Sequence, residues 1–133
     1  MNNKVVARFA DGRIIKGTTN DFGPAKTSFH VAPADAPPNS RPLSVDVKDL
    51  KALFFVKDFA GRPAYNERNE FDASRPVLGR KIKVIFKDDE VLVGVTQGYQ
   101  PGRPGFFMVP ADQDSNIDRC FVVSASAREI ALL

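Results

Sequence analysis

The chain contains one cysteine, one histidine and no tryptophan among its 133 residues. Because a disulfide needs two thiols, none can form within the chain, and a reducing cytoplasm is the expected compartment. No apolar run approaches the length of about 20 residues that a membrane-spanning helix needs, and the first residues lack an apolar signal region. The sequence also lacks a nucleophile elbow and a phosphate-cradling Gly-Lys loop. These absences predict a soluble, cytoplasmic protein that is not an enzyme.

The net charge of +3 is small and is distributed unevenly along the chain. Residues 1–56 hold eight Lys and Arg against five Asp and Glu, whereas residues 81–133 hold six against seven. A nucleic-acid-binding protein usually carries a continuous basic stripe, and this chain has none. The distribution therefore argues against nucleic acid as a partner and leaves room for a single anionic contact.

One stretch of the sequence occurs twice, at a constant offset of 77 residues. When Lys4–Val56 is placed on Lys81–Leu133, twelve positions are identical, and most of them are turn formers or spaced aromatic residues. Backbone geometry selects such residues, so the pattern predicts two copies of one small β unit. Units of about 50 residues bury only about 60% of their surface. We therefore expect the copies to pack on each other or on copies in another chain, and self-association stays open.

Each copy has the signals of five short strands. Asp11-Gly12 lies between two β-rich runs and predicts a tight hairpin, because glycine readily takes the positive φ of a primed turn. In the second copy Asp89 replaces this glycine, which predicts a wider or less regular turn. Gly17 and Gly94 fall in the middle of strands, where glycine permits a bend or a close approach of another backbone. The predicted organisation is a first barrel over 1–57, a linker or strap over 58–80 and a second barrel over 81–133. Whether the linker is helical stays open.

The run of Val5, Phe9, Asp11-Gly12-Arg13 and Gly17, followed by Asp21-Phe22, resembles the first sequence motif of Sm-like proteins. In that family the motif encodes a strongly bent hairpin in a five-stranded barrel. The resemblance implies an all-β fold of two tandem small five-stranded barrels, Sm-like or Src-homology-3-like, related by pseudo-symmetry. It covers about twenty residues in each copy, and the residues with which the family reads RNA have no counterpart between Asp35 and Pro42.

A second resemblance covers most of the chain. The stretches Gly98-Tyr99, Gly105-Phe106-Phe107, Pro110-Ala111-Asp112 and Leu53–Phe59 are similar to those of a bacterial domain family of unknown function. Members of that family occur alone and beside signalling modules. The resemblance implies a bacterial source and supplies no activity.

Three features are candidates for chemistry. His30 holds the place of Phe107 in the other copy, which favours a surface imidazole over a catalytic base; a hydrolase would need a cleft that brings His30 close to a carboxylate. Cys120 lies in a strand and is interpreted as a small core residue. Asp112, Asp114 and Asn116 alternate as in a calcium loop, yet the glycine and the bidentate glutamate of such a loop are missing. Capped turns are the preferred interpretation, cation binding stays open, and no cofactor or metal is predicted.

The remaining candidates are basic and aromatic side chains. Ligand- or partner-binding roles are predicted for Arg8, Lys16, Tyr99, Arg103 and Arg119. Tyrosine and arginine are frequent at protein interfaces, which favours a non-enzymatic bacterial binding or adaptor module that acts through protein–protein contacts. The alternative is a sensor of an anionic ligand such as a cyclic dinucleotide or a short nucleic acid, because the planar guanidinium group pairs with phosphate in bidentate fashion.

Overall fold

A computed structural model describes residues 3–37, 39–59, 71, 79–112 and 114–133. Most of the predicted strap lies outside these residues. The described chain is all-β, as predicted, and contains ten strands and two short 3-10 turns. The strands are β1 Asn3–Phe9, β2 Ile14–Thr19, β3 Ser28–Pro33, β4 Leu43–Asp46, β5 Leu50–Val56, β6 Arg80–Phe86, β7 Val91–Thr96, β8 Gly105–Pro110, β9 Ile117–Val123 and β10 Ala127–Leu132.

We call β1–β5 the first half and β6–β10 the second half. The first three strands of the second half each begin 77 residues after their counterparts, and so does the fifth. The 3-10 turns Val47–Asp49 and Ser124–Ser126 have the same spacing. The offset read from the sequence is thus also the offset between the secondary-structure elements.

All ten strands belong to one antiparallel sheet with the order β10-β6-β7-β8-β9-β5-β1-β2-β3-β4. Within each half the order of strands is the same, with the fifth strand beside the first. The halves meet where β5 pairs with β9, in a register that places Ala52 opposite Val122 and Leu53 opposite Phe121. We call this pairing the seam. Among the described residues β4 and β10 each pair with one neighbour only, so they form the two edges of the sheet.

The seam strands are shared by two hydrophobic cores. All seven residues of β5 are buried. Leu53 and Phe55 point into the core of the first half, together with Phe121 from β9. Phe54 points to the opposite side, into the core of the second half, as does Val122 of β9. Because successive side chains of a strand alternate between faces, one strand can serve both cores. This sharing increases the surface that each small unit buries, which a unit of this size needs.

The two equivalent hairpins have the same turn. Gly12 has φ 98° and donates its N–H to the Phe9 carbonyl at 3.0 Å. Asp89 has φ 71° and donates to the Phe86 carbonyl at 2.9 Å. The prediction of a wider second turn is therefore wrong. Aspartate is one of the few residues other than glycine that tolerate the left-handed region, so the turn survives the substitution.

The mid-strand glycines lie where two backbones come together. A Cβ atom built on Gly17 would lie 2.2 Å from the carbonyl oxygen of Ala32, and one on Gly94 would lie 2.0 Å from that of Val109. Both distances are far shorter than a van der Waals contact. Only glycine therefore permits the close approach of β2 to β3 and of β7 to β8, as the sequence indicated.

Candidate binding groove

The largest concave surface among the described residues is a groove of about 1160 Å³ that both halves line. The first half contributes the loop between β2 and β3 and the turn after β4, whereas the second half contributes the loop between β7 and β8. The lining residues are Pro24, Ala25, Lys26, Thr27, Asp46, Val47, Lys48, Gln97, Gly98, Arg103, Pro104, Gly105, Phe106, Phe107 and Val123. Most of them are apolar, as is usual for a site that takes a ligand.

Aromatic rings from both halves pack beneath the groove. Phe22 makes edge-on contacts with Phe29 at 5.0 Å, with Phe121 at 5.1 Å and with Phe107 at 5.9 Å between ring centroids. Phe22 lies in a loop of the first half and Phe107 in a strand of the second, so the cluster joins the two walls. Edge-to-face packing at these distances stabilises one arrangement of the rings. The floor of the groove is therefore formed before any ligand binds.

Three cationic side chains and one carboxylate line the same groove. Lys26 and Arg103 come from loops that stand at equivalent positions of the two halves, and Lys48 and Asp46 flank Val47. The Lys26 ammonium donates a hydrogen bond to the backbone carbonyl of Asp21 at 2.8 Å, which holds this side chain in place. Within the described part of the chain the side chains of Lys48 and Arg103 form no ion pair. The groove thus carries a positive charge beside an apolar floor.

Arg103 and Tyr99 have different environments although both lie in the loop between β7 and β8. Arg103 is exposed and lines the groove. Tyr99 is half-buried and its ring packs edge-on against Phe106 at 4.9 Å, as part of the second core. Of the two, only Arg103 is placed to meet a partner in the groove; Tyr99 supports Phe106 from below.

The other three predicted site residues are spread over the sheet. Arg8 makes an ion pair with Glu90 across the seam at 2.9 Å. Lys16 donates to the backbone carbonyl of Phe59 at 2.9 Å. The guanidinium group of Arg119 lies 4.3 Å from the ring centroid of Phe55 and 5.0 Å from that of Phe107. The structure therefore does not bring the five residues together, and only Arg119 shares a contact, Phe107, with the groove.

A buried lysine ties the seam to the second hairpin. Lys51 of β5 is almost completely buried and makes ion pairs with Asp88, at 2.7 Å, and with Glu90. Its ammonium group also lies 4.6 Å from the ring centroid of Phe86. The hydrogen bond from Lys51, followed by that from the Glu90 backbone N–H, lowers the pKa of Asp88. Because Lys51 and Arg8 both bind Glu90, the halves are joined by charge as well as by hydrogen bonds between strands.

His30 lies close to a carboxylate, but on an exposed surface. Its Nδ1 atom is 2.7 Å from Oδ2 of Asp21, and its backbone N–H donates to Oδ1 at 2.9 Å. The backbone hydrogen bond, followed by the side-chain one, lowers the pKa of Asp21 to about 2. The histidine side chain is 58% exposed. The pair ties the start of β3 to the preceding loop, and this is a structural role.

The alternating acidic residues before β9 form turns. The Asp112 side chain is buried and accepts the backbone N–H of Asp114 at 3.0 Å. Asn116 exchanges hydrogen bonds with the backbone of Asp58, at 3.0 Å and 2.9 Å. Over the described ranges no group of three or more His, Cys, Asp or Glu side chains is arranged to hold a metal ion. Cys120 is buried in β9, in the second core.

The sequence did not single out Asp46, Val47 and Lys48 as site residues. They follow β4, and in the sequence they belong to an ordinary run between two strands. One signal was available: Lys26 and Arg103 conserve a positive charge at the 77-residue offset. That equivalence pointed to two matching loops, but only the tertiary structure places both loops on one groove.

The fold and the groove define an all-β protein with a preformed, partly cationic apolar groove between two halves. The chain belongs to a family of unknown function, DUF6982, whose profile covers residues 1–133. Comparison with curated proteins and with solved structures gives no significant match. Within the described residues no helix has the length and apolar character needed to cross a bilayer.

Proposed function

We propose that the protein is a non-enzymatic binding module built from two copies of one five-stranded unit. Its groove holds an extended segment of a protein partner that combines acidic side chains with at least one apolar side chain. The observation that carries this proposal is the apolar groove lined by Lys26, Lys48 and Arg103. An apolar floor favours burial of a side chain, and the cations favour a neighbouring carboxylate.

The two-copy interpretation is supported by the strand bounds. Each half has five strands in the same neighbour order, and the equivalent turns and mid-strand glycines have the same geometry. Each unit then resembles a small barrel whose fifth strand turns to its neighbour. In this interpretation the groove lies where two equivalent loops, 24–27 and 103–107, approach each other.

Selection from a random peptide display library tests the proposal. We expect the selected peptides to be enriched in acidic residues beside an aromatic or aliphatic residue. Replacing Arg103 by glutamate, together with Lys48→Glu, should weaken binding of a selected peptide at least tenfold, which corresponds to about 1.4 kcal/mol. The wild-type affinity should also fall with added salt, because exposed charges are screened.

Lys87→Glu is the matched control. Lys87 is exposed in the turn after β6 and lies outside the groove, so the same change of net charge should leave the affinity within about twofold. Equal weakening by the control and by the groove variants would show that net charge, and not the groove, attracts the peptide. Failure to select any peptide that the groove variants weaken would contradict the proposal.

A second candidate is a small anionic ligand such as a cyclic dinucleotide. The half-buried ring of Phe107 lies in the same groove as Arg103, so a base could stack there while the guanidinium pairs with a phosphate. Isothermal titration calorimetry with cyclic dinucleotides distinguishes the two candidates. Heat that disappears in Phe107→Ala and Arg103→Glu would favour the small ligand, whereas no heat would leave the peptide groove as the better account.

A further inference from the structure

We infer that the two edges of the sheet, β4 and β10, pair with each other between different copies of this chain. The basis is the seam, in which the fifth strand of the first half pairs with the fourth strand of the second half. The two edges of the sheet are a fourth strand and a fifth strand with no second neighbour. The chain therefore presents at its ends the same two surfaces that it joins in its middle.

The exposure of equivalent residues supports this inference. In β5, Phe55 is 5% exposed, whereas Leu132, at the equivalent position of β10, is 39% exposed. In β9, Cys120 is fully buried, whereas Leu43, at the equivalent position of β4, is 44% exposed. Large exposed hydrophobic side chains are few in the described part of the chain, and the edges hold Leu43, Leu132 and Leu133 among them. Exposed apolar residues on an unpaired strand mark a surface that is suited to pairing.

The seam also supplies a register. Shifting its pairs by 77 residues places Glu129 opposite Val45, Ile130 opposite Ser44 and Ala131 opposite Leu43. The backbone of β10 has the right orientation for these pairs. Leu133 donates its N–H to the Lys81 carbonyl of β6, so the N–H and C=O groups of Ile130 and Leu132 point away from β6. These groups are free to continue the ladder into a neighbouring β4.

The contact between chains should be weaker than the seam. Strand β4 has four residues, whereas β9 has seven, and Pro42 stands where β9 has Arg119. Arg128 and Asp11 retain the cation and the carboxylate of the pair between Lys51 and Asp88. However, Arg13 takes the place of Glu90, which removes the second ion pair. We therefore expect self-association that depends on protein concentration.

The pairing is head to tail, because each chain uses one surface to bind the next chain and a different surface to bind the previous one. Such contacts produce a closed ring or an open filament, and not a simple symmetric dimer. The inference shares the two-copy interpretation with the proposed function, but it does not involve the groove or its ligand.

Sedimentation velocity over a concentration series of the full chain tests the inference. We expect the wild-type mass to rise with concentration above the 14.6 kDa of one chain. Leu43→Lys blocks the β4 edge, and Leu132→Pro removes an outward N–H from β10, so each variant alone should stay monomeric. An equimolar mixture of the two should form a dimer and nothing larger, because each variant retains one intact edge and the two intact edges are complementary.

Val109→Lys and Arg103→Glu are the controls. Val109 is 45% exposed on β8, away from both edges, so its replacement should leave the mass series of the wild type unchanged. Arg103→Glu should also leave it unchanged, which separates this inference from the groove. Leu132→Lys is a second β10 variant in case proline disturbs the strand, and circular dichroism verifies the fold of each variant. A monomeric wild type at every concentration, or a mixture of edge variants without dimer, would overturn the inference.

Discussion

Strands β5 and β10 hold equivalent positions in the two halves of the sheet, yet their environments differ. Every residue of β5 is buried, because β9 pairs with its outer edge and both cores cover its faces. The residues of β10 are half-buried or exposed, because no second neighbour covers them. The comparison teaches that the burial of a strand in this protein follows from its neighbours in the sheet. Three predictions test how far the equivalence of the two halves extends.

The largest effect is expected at the mid-strand glycines. Gly17→Ala and Gly94→Ala each place a Cβ atom about 2 Å from a backbone carbonyl oxygen of the adjacent strand, so that strand must move. We expect each variant to lower the free energy of unfolding by about 3 kcal/mol, the upper part of the usual range for overpacking. Urea denaturation provides the measurement.

Gly98→Ala is the control for these variants, because a Cβ atom there meets nothing within 4 Å. Its free energy of unfolding should change by less than about 0.5 kcal/mol. If Gly17→Ala and Gly94→Ala differed greatly from each other, the two bends would not be equivalent.

An intermediate effect is expected for the cations at position 51 and its equivalent, 128. Lys51→Met leaves Asp88 and Glu90 without their shared buried partner; since both carboxylates are partly exposed, we expect a loss of about 1–2 kcal/mol. Arg128→Met removes an exposed ion pair with Asp89 and should cost less than about 0.5 kcal/mol. Thermal and urea unfolding compare the two variants. Equal losses would mean that the seam gives Lys51 no special role.

The smallest effect concerns pH and belongs to one half only. Asp21 has a pKa of about 2 in the folded protein because His30 donates to it, and this value lies below the value of about 3.9 in an unfolded chain. The contribution of Asp21 to stability is therefore complete above about pH 4 and is lost as the pH falls towards 2. Solvent screens this partly exposed carboxylate, so we expect a contribution of less than about 1 kcal/mol.

Comparison with Asp21→Asn isolates this contribution. The wild type should be the more stable of the two at pH 5, and the difference should shrink by pH 2. Gly98 and Phe107 hold the equivalent positions of the second half, so no such pair forms there. A carboxyl titration by NMR that placed the Asp21 pKa near its ordinary value would contradict the assignment.

Local features of this protein were predictable because they depend on few residues. Asp11-Gly12 indicated the first hairpin, and Gly17 and Gly94 indicated two close approaches of neighbouring strands. The second hairpin was predicted wrongly because Asp89 adopts a backbone conformation that its residue type only sometimes takes. Of the site residues, Arg103 was found through its loop, whereas Lys48 was missed because nothing near it in the chain distinguishes it.

The sequence by itself determined the all-β class, the spacing of the strands and the turns, since these follow from residue periodicity and from the conformational freedom of glycine and aspartate. Only the tertiary structure decided that β5 pairs with β9, that the two cores share these strands and that two distant loops line one groove. The physical reason is that strand pairing and groove formation join residues far apart in the chain. Their energies depend on which surfaces meet, and no local pattern in the sequence records that choice.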